Sequence, residues 1–460
     1  MTLKNRANSR KTSIEPPKAQ AGIAIICIAI FIAMPTTAFS QQRLRTISEV
    51  QVDASLAAID RAIEEVDGND GSRELLRKLR KRRNEITANA RELRNSSINP
   101  FNNRPPPIAT IVNGTTTQAF GATGALLTHG PDGGLKVFCS GIMIGCETFL
   151  TARHCVEHNP DPEKYFVYLP AEGIFGIKGV PPEHPDYEKP YADLQLLTLE
   201  RPVTAINPAQ LSSVPIADAE VAVTTVGFGR TNGEANDQGI KRFGSLTTDS
   251  CPENGNGRIA SNPEAFICWL YDDNQSTTCH FDSGGPLFPG TASDTVDVIG
   301  VTSGGDVSCQ SDALYYDVDL QFFKLWLSQT GGADVGKTSC EPEGRGSIHL
   351  VQAQAIDCVN TNCALPTLIT HSVKQGTQEV RIGLNAEDRQ ENELDLEVLL
   401  KSSSSDPIPP CIQNNPRNFE FCSFTITEPD TELTITVRQK KSGSGKYQLL
   451  VSELRYDDTR

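Results

Sequence analysis

Between Ile111 and about Thr330 the sequence breaks into many short apolar runs, each punctuated by Gly, Pro or Asn. Runs that short, ended that often, suit strands and turns and not long helices, so this stretch reads as an all-β region. Its last piece, "DVDLQFFKLWLSQTGG", changes period and reads as a helix ending near Gly331. After a linker, "GGADVGKTSCEPEGRG", the runs "EVRIGL", "LDLEVLL", "FEFCSFTI", "LTITVRQ" and "KYQLLVS" alternate with period two. That alternation, with "SGSG" (Ser442 to Gly445) as a turn, predicts a small antiparallel β-sandwich. The fold class is therefore mainly β.

The start of the chain differs. Lys4, Arg6, Arg10, Lys11 and Lys18 precede an apolar run from Ala21 to Met34, followed by Ala38 and Ser40. A positive stretch, a short apolar stretch and small residues make a secretory signal peptide over 1–40. The run is shorter than the ~20 residues a spanning helix needs; an uncleaved anchor is the competing reading. Leu56, Ile59, Ile63 and Val66, then Leu75, Leu79, Ile86 and Leu93, recur at helical steps on either side of "DGNDGS". They predict a helical hairpin. It reads either as a pro-segment removed later or as a solvated charged helix pair. "NPFNNRPPP" (Asn99 to Pro107) is a linker, since consecutive prolines cannot continue a helix. The chain thus divides into 1–40, a helical segment and linker over 41–110, a β region over 111–331, a linker over 332–346 and a β-sandwich over 347–460.

At 460 residues the chain has room for two or three domains. A net charge of −15 argues against general nucleic-acid binding. Of 13 Cys, one lies in the signal run, which leaves twelve. C-x-x-C metal spacing is absent, so these read as disulfides of a secreted protein, with no metal and no cofactor.

Four motifs inside the β region carry chemistry. "LTARHC" offers His154, "ADLQLL" offers Asp193 at the head of an apolar run, "FDSGGP" offers Ser283, and "VTSGG" follows it. A Ser hydroxyl is a poor nucleophile unless a base takes its proton; His154 suits that task, and Asp193 would fix the imidazole tautomer and stabilise its protonated form. The chain order His, Asp, Ser and the neighbours of each resemble the chymotrypsin/trypsin family over Ile111 to about Thr330, roughly half the chain.

The resemblance implies a double six-stranded antiparallel β-barrel and a secreted serine endopeptidase acting on protein or peptide. His154, Asp193 and Ser283 would be catalytic, and the N–H groups of Phe281 and Ser283 would form the oxyanion hole. Ser303 would accompany Asp193, and Ser303, Gly304 and Gly305 would pair with substrate as an added strand. Counting back from Ser283 puts Thr277 at the floor of the specificity pocket, with Gly305 and Ala313 on its walls. An uncharged floor implies a neutral residue before the scissile bond; a basic preference would need an acid elsewhere, such as Asp306 or Asp312. "IVNG" (Ile111 to Gly114) is similar to the family's mature N-terminus, so a freed Ile111 amine would pair with Asp282 after cleavage by an activating protease. Thr110 precedes Ile111 and "PPPIAT" holds no basic residue, so a trypsin-like activator would not cut there. Another specificity, two-step trimming and no cleavage all stay open.

The same map implies Cys139–Cys155, Cys279–Cys309 and Cys251–Cys268. Short loops favour Cys358–Cys363 and Cys411–Cys422, and elimination leaves Cys146–Cys340. "ELTITVRQKKSGSGKYQLLVS" resembles the pre-peptidase C-terminal domains of secreted bacterial proteases.

Two rival readings compete. "HCVEH" (His154 to His158) matches an inverted zinc-protease pattern, which needs both His on one helix. The other rival is a trypsin-like fold that has become a binding module. Phe281 stands where the family has Gly, and a bulky residue resists φ > 0. A flipped peptide there would lose an oxyanion donor, at about 10²–10³ in rate.

Overall fold

In the computed structural model, the described residues are 111–456 apart from 190, 214–219, 253–256, 273, 291–296, 341–347, 360–363, 389–392, 402–408, 414–417, 428–430 and 441–445. The signal peptide, the helical hairpin, part of the second linker and the "SGSG" turn lie outside them. The chain divides into two units, Met1–Asn99 and Pro100–Arg460, and every described residue is in the second.

After a two-residue strand β1 (Thr115–Thr116), six strands close into a barrel: β2 (Thr123–His129), β3 (Leu135–Met143), β4 (Thr148–Thr151), β5 (Tyr165–Leu169), β6 (Gly173–Gly179) and β7 (Gln195–Leu199), in the order β2-β3-β4-β7-β6-β5. Leu126, Met143, Phe149, Val167, Phe175 and Leu197 fill it and are buried. Closure leaves no exposed edge on these strands.

The next strands are β8 (Gln210–Leu211), β9 (Ala222–Gly227), β10 (Arg242–Thr247), β11 (Phe266–Leu270), β12 (Pro286–Pro289), β13 (Asp297–Val298), β14 (Gly300–Gly304) and β15 (Leu314–Asp319). A second closed six-stranded barrel was expected. The structure has instead a seven-stranded sheet, β1-β10-β9-β12-β14-β15-β11, with β1 hydrogen-bonded to the outer side of β10. Beyond the end of β10 a single bridge, Asp249 to Cys268, is what joins it to β11, so the second ring is a half-barrel. Cys251–Cys268 fastens that same seam. A helix, α1 (Leu320–Gly331), follows β15, and Asp319 caps it by accepting from Gln321 N at 2.8 Å. Phe323 and Leu327 of α1 pack with Leu150, Leu194 and Leu196 of the closed barrel and Val226, Phe266 and Val301 of the open sheet. One shared core thus locks the two sheets face to face.

The C-terminal region holds two four-stranded sheets. The first is β16 (Ile348–Asp357), β23 (Tyr447–Tyr456), β18 (Glu379–Ala386) and β21 (Phe419–Thr425), in that order; the second is β17 (Thr367–Ser372), β22 (Glu432–Gln439), β19 (Leu394–Lys401) and β20 (Cys411–Gln413). Val380, Ile382 and Leu384 of the first share a core with Leu396, Val398, Leu433 and Ile435 of the second. This region docks on the closed barrel through β18 and β21. Arg381 reaches the buried Glu172 at 2.7 Å, and Phe419 meets Tyr168 edge-on at 5.1 Å. Gly383 is a contact requirement, since a Cβ there would lie 2.2 Å from Pro170 O. Cys146–Cys340 ties the segment after α1 to the closed barrel, and Cys411–Cys422 joins β20 to β21. Cys358 is disulfide-bonded; its expected partner Cys363 lies outside the described residues.

Candidate active site

β4 ends at Thr151, and a single 3₁₀ turn, Arg153–Cys155, follows it. The Cys139–Cys155 bridge fastens that turn to β3. His154 is thereby presented at the edge of the closed barrel. Asp193 sits just ahead of β7 and is buried. It accepts from His154 N at 2.9 Å through Oδ1, meets His154 Nδ1 at 2.8 Å through Oδ2, and accepts from Ser303 Oγ at 2.6 Å. Burial alone would push this carboxyl up, but the hydrogen bonds from His154 and Ser303 hold it down at about 2. An ionised carboxylate can only accept, so Nδ1 carries the proton and Nε2 of His154 is left as the acceptor.

Ser283 follows Asp282 on a loop of the second sheet. Ser283 O accepts from Ser140 N at 2.8 Å, and Gly284 N donates to Thr302 O at 2.8 Å. Gly284 has φ +83, and a Cβ there would lie 2.2 Å from Thr151 Oγ1 and 2.3 Å from Ser140 O. The loop therefore packs against the closed barrel only because that position has no side chain.

Asp282 accepts from Gly229 N at 2.8 Å and Cys279 N at 2.9 Å. Burial raises its carboxyl to about 7. Ile111 is fully buried with φ 47, and Val112 O accepts from Thr277 N at 3.1 Å. In the continuous chain the Ile111 nitrogen is an amide and carries no charge for Asp282.

Phe281 takes the conformation a glycine would, with φ 74. Its cost is of order 1–3 kcal/mol, and the surroundings hold it. His280 O accepts from Arg230 N at 3.0 Å. The C=O and N–H of one trans peptide point opposite ways, so the Phe281 N–H faces away from Arg230. Phe281 O accepts from Ser140 Oγ at 2.9 Å, and Phe228 N donates to that same hydroxyl at 2.9 Å. The flipped peptide expected of a bulky residue is not what the structure has, and the binding-module alternative is not favoured. The ring packs beside Leu127, Tyr168, Phe228 and Phe419, with the Arg230 guanidinium 4.9 Å from its centroid.

Ser283 lines a cavity of about 150 Å³ with Thr278, His280, Gly304, Gly305, Asp306 and Tyr315 among its walls. Thr277 and Ala313 do not line it. Thr277 is buried, and its hydroxyl accepts from Trp269 Nε1 at 2.9 Å; Ala313 packs beside the Cys279–Cys309 and Tyr315 cluster. Ser303 is turned to Asp193. Thr278, His280, Val307 and Tyr315 were missed from sequence, since no spacing signal marks a residue whose neighbour faces the pocket in its place. Asp306 is held below the usual carboxylate range, chiefly by the Ser308 hydroxyl.

Metal chemistry finds no support at His154. Cys139, His154 and Cys155 come within 4.8 Å of one another, but both sulfurs are in the disulfide. The zinc-helix reading of "HCVEH" also fails, because the helical turn is three residues long and the His158 side chain is 92% exposed.

Residues 111–326 match the family described as Trypsin. The mouse transmembrane protease serine 11E is 25% identical over 210 residues, 42% of this chain and 49% of that protein. A trypsin of Saccharopolyspora erythraea is 29% identical over 196 residues, 40% of this chain and 81% of that protein. Rat tonin is 26% identical over 224 residues, 42% of this chain and 81% of that protein. The chain thus spans about half the length of the mouse relative and more of the other two. No described helix is long and apolar enough to cross a membrane. Fold, matched family and relatives together support the chymotrypsin/trypsin-like serine protease family for residues 111–326.

Proposed function

We propose that this chain is a secreted serine endopeptidase, made as a zymogen, that cleaves peptide bonds through His154, Asp193 and Ser283. The observation that carries the reading is the ionised Asp193, bridged to His154 Nδ1 and Ser303 Oγ beside a cavity that Ser283 lines. His154 Nε2 takes the Ser283 proton as Oγ attacks the substrate carbonyl, and the acyl-enzyme forms as that proton passes to the leaving amine. Water then repeats the sequence to release the acid. The Phe281 and Ser283 N–H groups receive the oxyanion. Substrate runs along Ser303 to Gly305 as an added strand. The residue before the scissile bond is neutral: Asp306 is the one carboxylate among the cavity-lining residues, and its Oδ2 is engaged by Ser308 and Gln310 of its own loop. An activating protease would free Ile111, whose amine would neutralise Asp282.

The test is a fluorophosphonate probe with intact and peptide masses, beside Ser283→Ala. Labelling at Ser283 in the wild type alone is expected, and the same masses report whether the labelled chain begins at Ile111. A wild-type chain beginning at Ile111 that stays unlabelled would sink the reading.

A further inference from the structure

Resting on that peptidase reading, we propose that Arg230 and Gln238 are positioning residues that hold the Phe281 amide as an oxyanion donor, and that the C-terminal two-sheet region holds them in turn. A glycine needs no help to keep a positive φ; a phenylalanine does. Arg230 supplies two restraints on the one peptide. Its N–H binds His280 O at 3.0 Å, and its guanidinium lies 4.9 Å from the Phe281 ring centroid, within cation–π range.

Arg230 is itself held. Its Nε donates to Gln238 Oε1 at 3.2 Å. Gln238 is buried and faces the C-terminal region: its O accepts from Asp388 N at 2.8 Å and its Nε2 donates to Asp388 O at 3.4 Å. The neighbouring loop positions are tied the same way. Asn385 Nδ2 donates to Gly239 O at 2.8 Å, and Lys241 N donates to Gln448 Oε1 at 2.8 Å. Phe419 of β21 completes the apolar cluster on which the Phe281 ring lies. A continuous path of contacts therefore runs from β18, β21 and β23 through the 230–241 loop to the peptide before Phe281. The two-sheet region serves the peptidase as a built-in brace for its oxyanion loop.

The experiment uses the full chain in the form that labels at Ser283, with kcat and KM measured on a peptide substrate. Arg230→Ala is expected to lower kcat roughly ten- to a hundredfold with KM within about twofold, as for a misplaced donor. Gln238→Ala and Asn385→Ala should act in the same direction by about three- to tenfold. Arg230→Lys, which keeps a cation over the ring, should recover most of the loss. In a Phe281→Gly background, where the strain is gone, Arg230→Ala should cost less than about threefold. A structural role alone would give equal losses in both backgrounds, and that result overturns the proposal. So does an unchanged kcat in Arg230→Ala, or a loss confined to KM. Should Arg230→Ala not fold, Arg230→Lys and Gln238→Ala, each with and without Phe281→Gly, decide by the same criterion. A wild type that never labels at Ser283 defeats the peptidase reading and this inference together. A labelled wild type whose kcat is indifferent to Arg230 and Gln238 defeats this inference alone.

Discussion

The two sheets that meet at the site are built differently. The closed barrel, which brings His154 and Asp193, has every strand paired on both sides, and among the described residues none from Thr123 to Leu199 other than glycine has a positive φ. The second sheet, which brings Ser283 and Ser303, is closed by one bridge, and its loops hold Phe281, Cys309 and Asp312 at positive φ. Their buried acids differ in the same sense. Asp193 meets a histidine ring and a hydroxyl and is pulled down; burial pushes Asp282 and Asp317 up, with little to offset it. One half is a rigid frame for the base, and the other stores strain in the loop that carries the nucleophile. The contrast places conformational control on the Ser283 side.

The sharpest way to break this comparison is to remove the chemistry and ask whether the frame stays. Asp193→Asn should lower kcat roughly ten-thousandfold by leaving His154 in the wrong tautomer, with an unfolding midpoint near that of the wild type at pH 7. A large fall in the midpoint would mean that Asp193 holds the barrel together as well. Next in size is the docking of the C-terminal region. Arg381→Met leaves Glu172 buried without its guanidinium and should cost about 3–5 kcal/mol in urea unfolding; the double variant Glu172→Leu/Arg381→Met should recover much of it. Opening Cys146–Cys340 by Cys→Ser at both positions should cost about 2–4 kcal/mol, since the bridge closes a loop of 194 residues.

Smaller, and more telling, is the pH dependence. Asp282 is raised from 3.8 to about 7, so its contribution to stability is full below about pH 4 and is lost as pH rises toward 7. Asp193 is lowered from 3.8 to about 2, so its contribution is present above about pH 4 and is lost as pH falls toward 2. Urea unfolding of the continuous chain across pH 2–8 should therefore show the Asp282→Asn variant flatter between pH 4 and 7, and Asp193→Asn flatter between pH 4 and 2. A chain beginning at Ile111, with its amine beside Asp282, should lose the upper slope. Equal slopes in both variants would erase the distinction between the two halves.

Residue types and their local order determined much of this. The Gly-Gly after Ser283 is demanded by the close approach to Ser140 and Thr151, so "DSGGP" announces its loop wherever it occurs. The period-two runs near residues 380, 396, 420, 434 and 450 became β18, β19, β21, β22 and β23, because alternation is a local property of a half-buried strand. β16, β17 and β20 were not singled out in the sequence. Cys139 and Cys155, or Cys279 and Cys309, could be matched through a family resemblance because each pair spans one loop. Only the tertiary structure decided the rest. Thr277 turns to Trp269 while Thr278 and His280 line the cavity, because which way a loop side chain faces depends on what packs behind it. From sequence Phe281 argued for a flipped peptide; Arg230, 51 positions earlier in the numbering, and a strand of the C-terminal region hold it otherwise. Local rules fix what a residue prefers, and long-range packing decides whether it is allowed to have it.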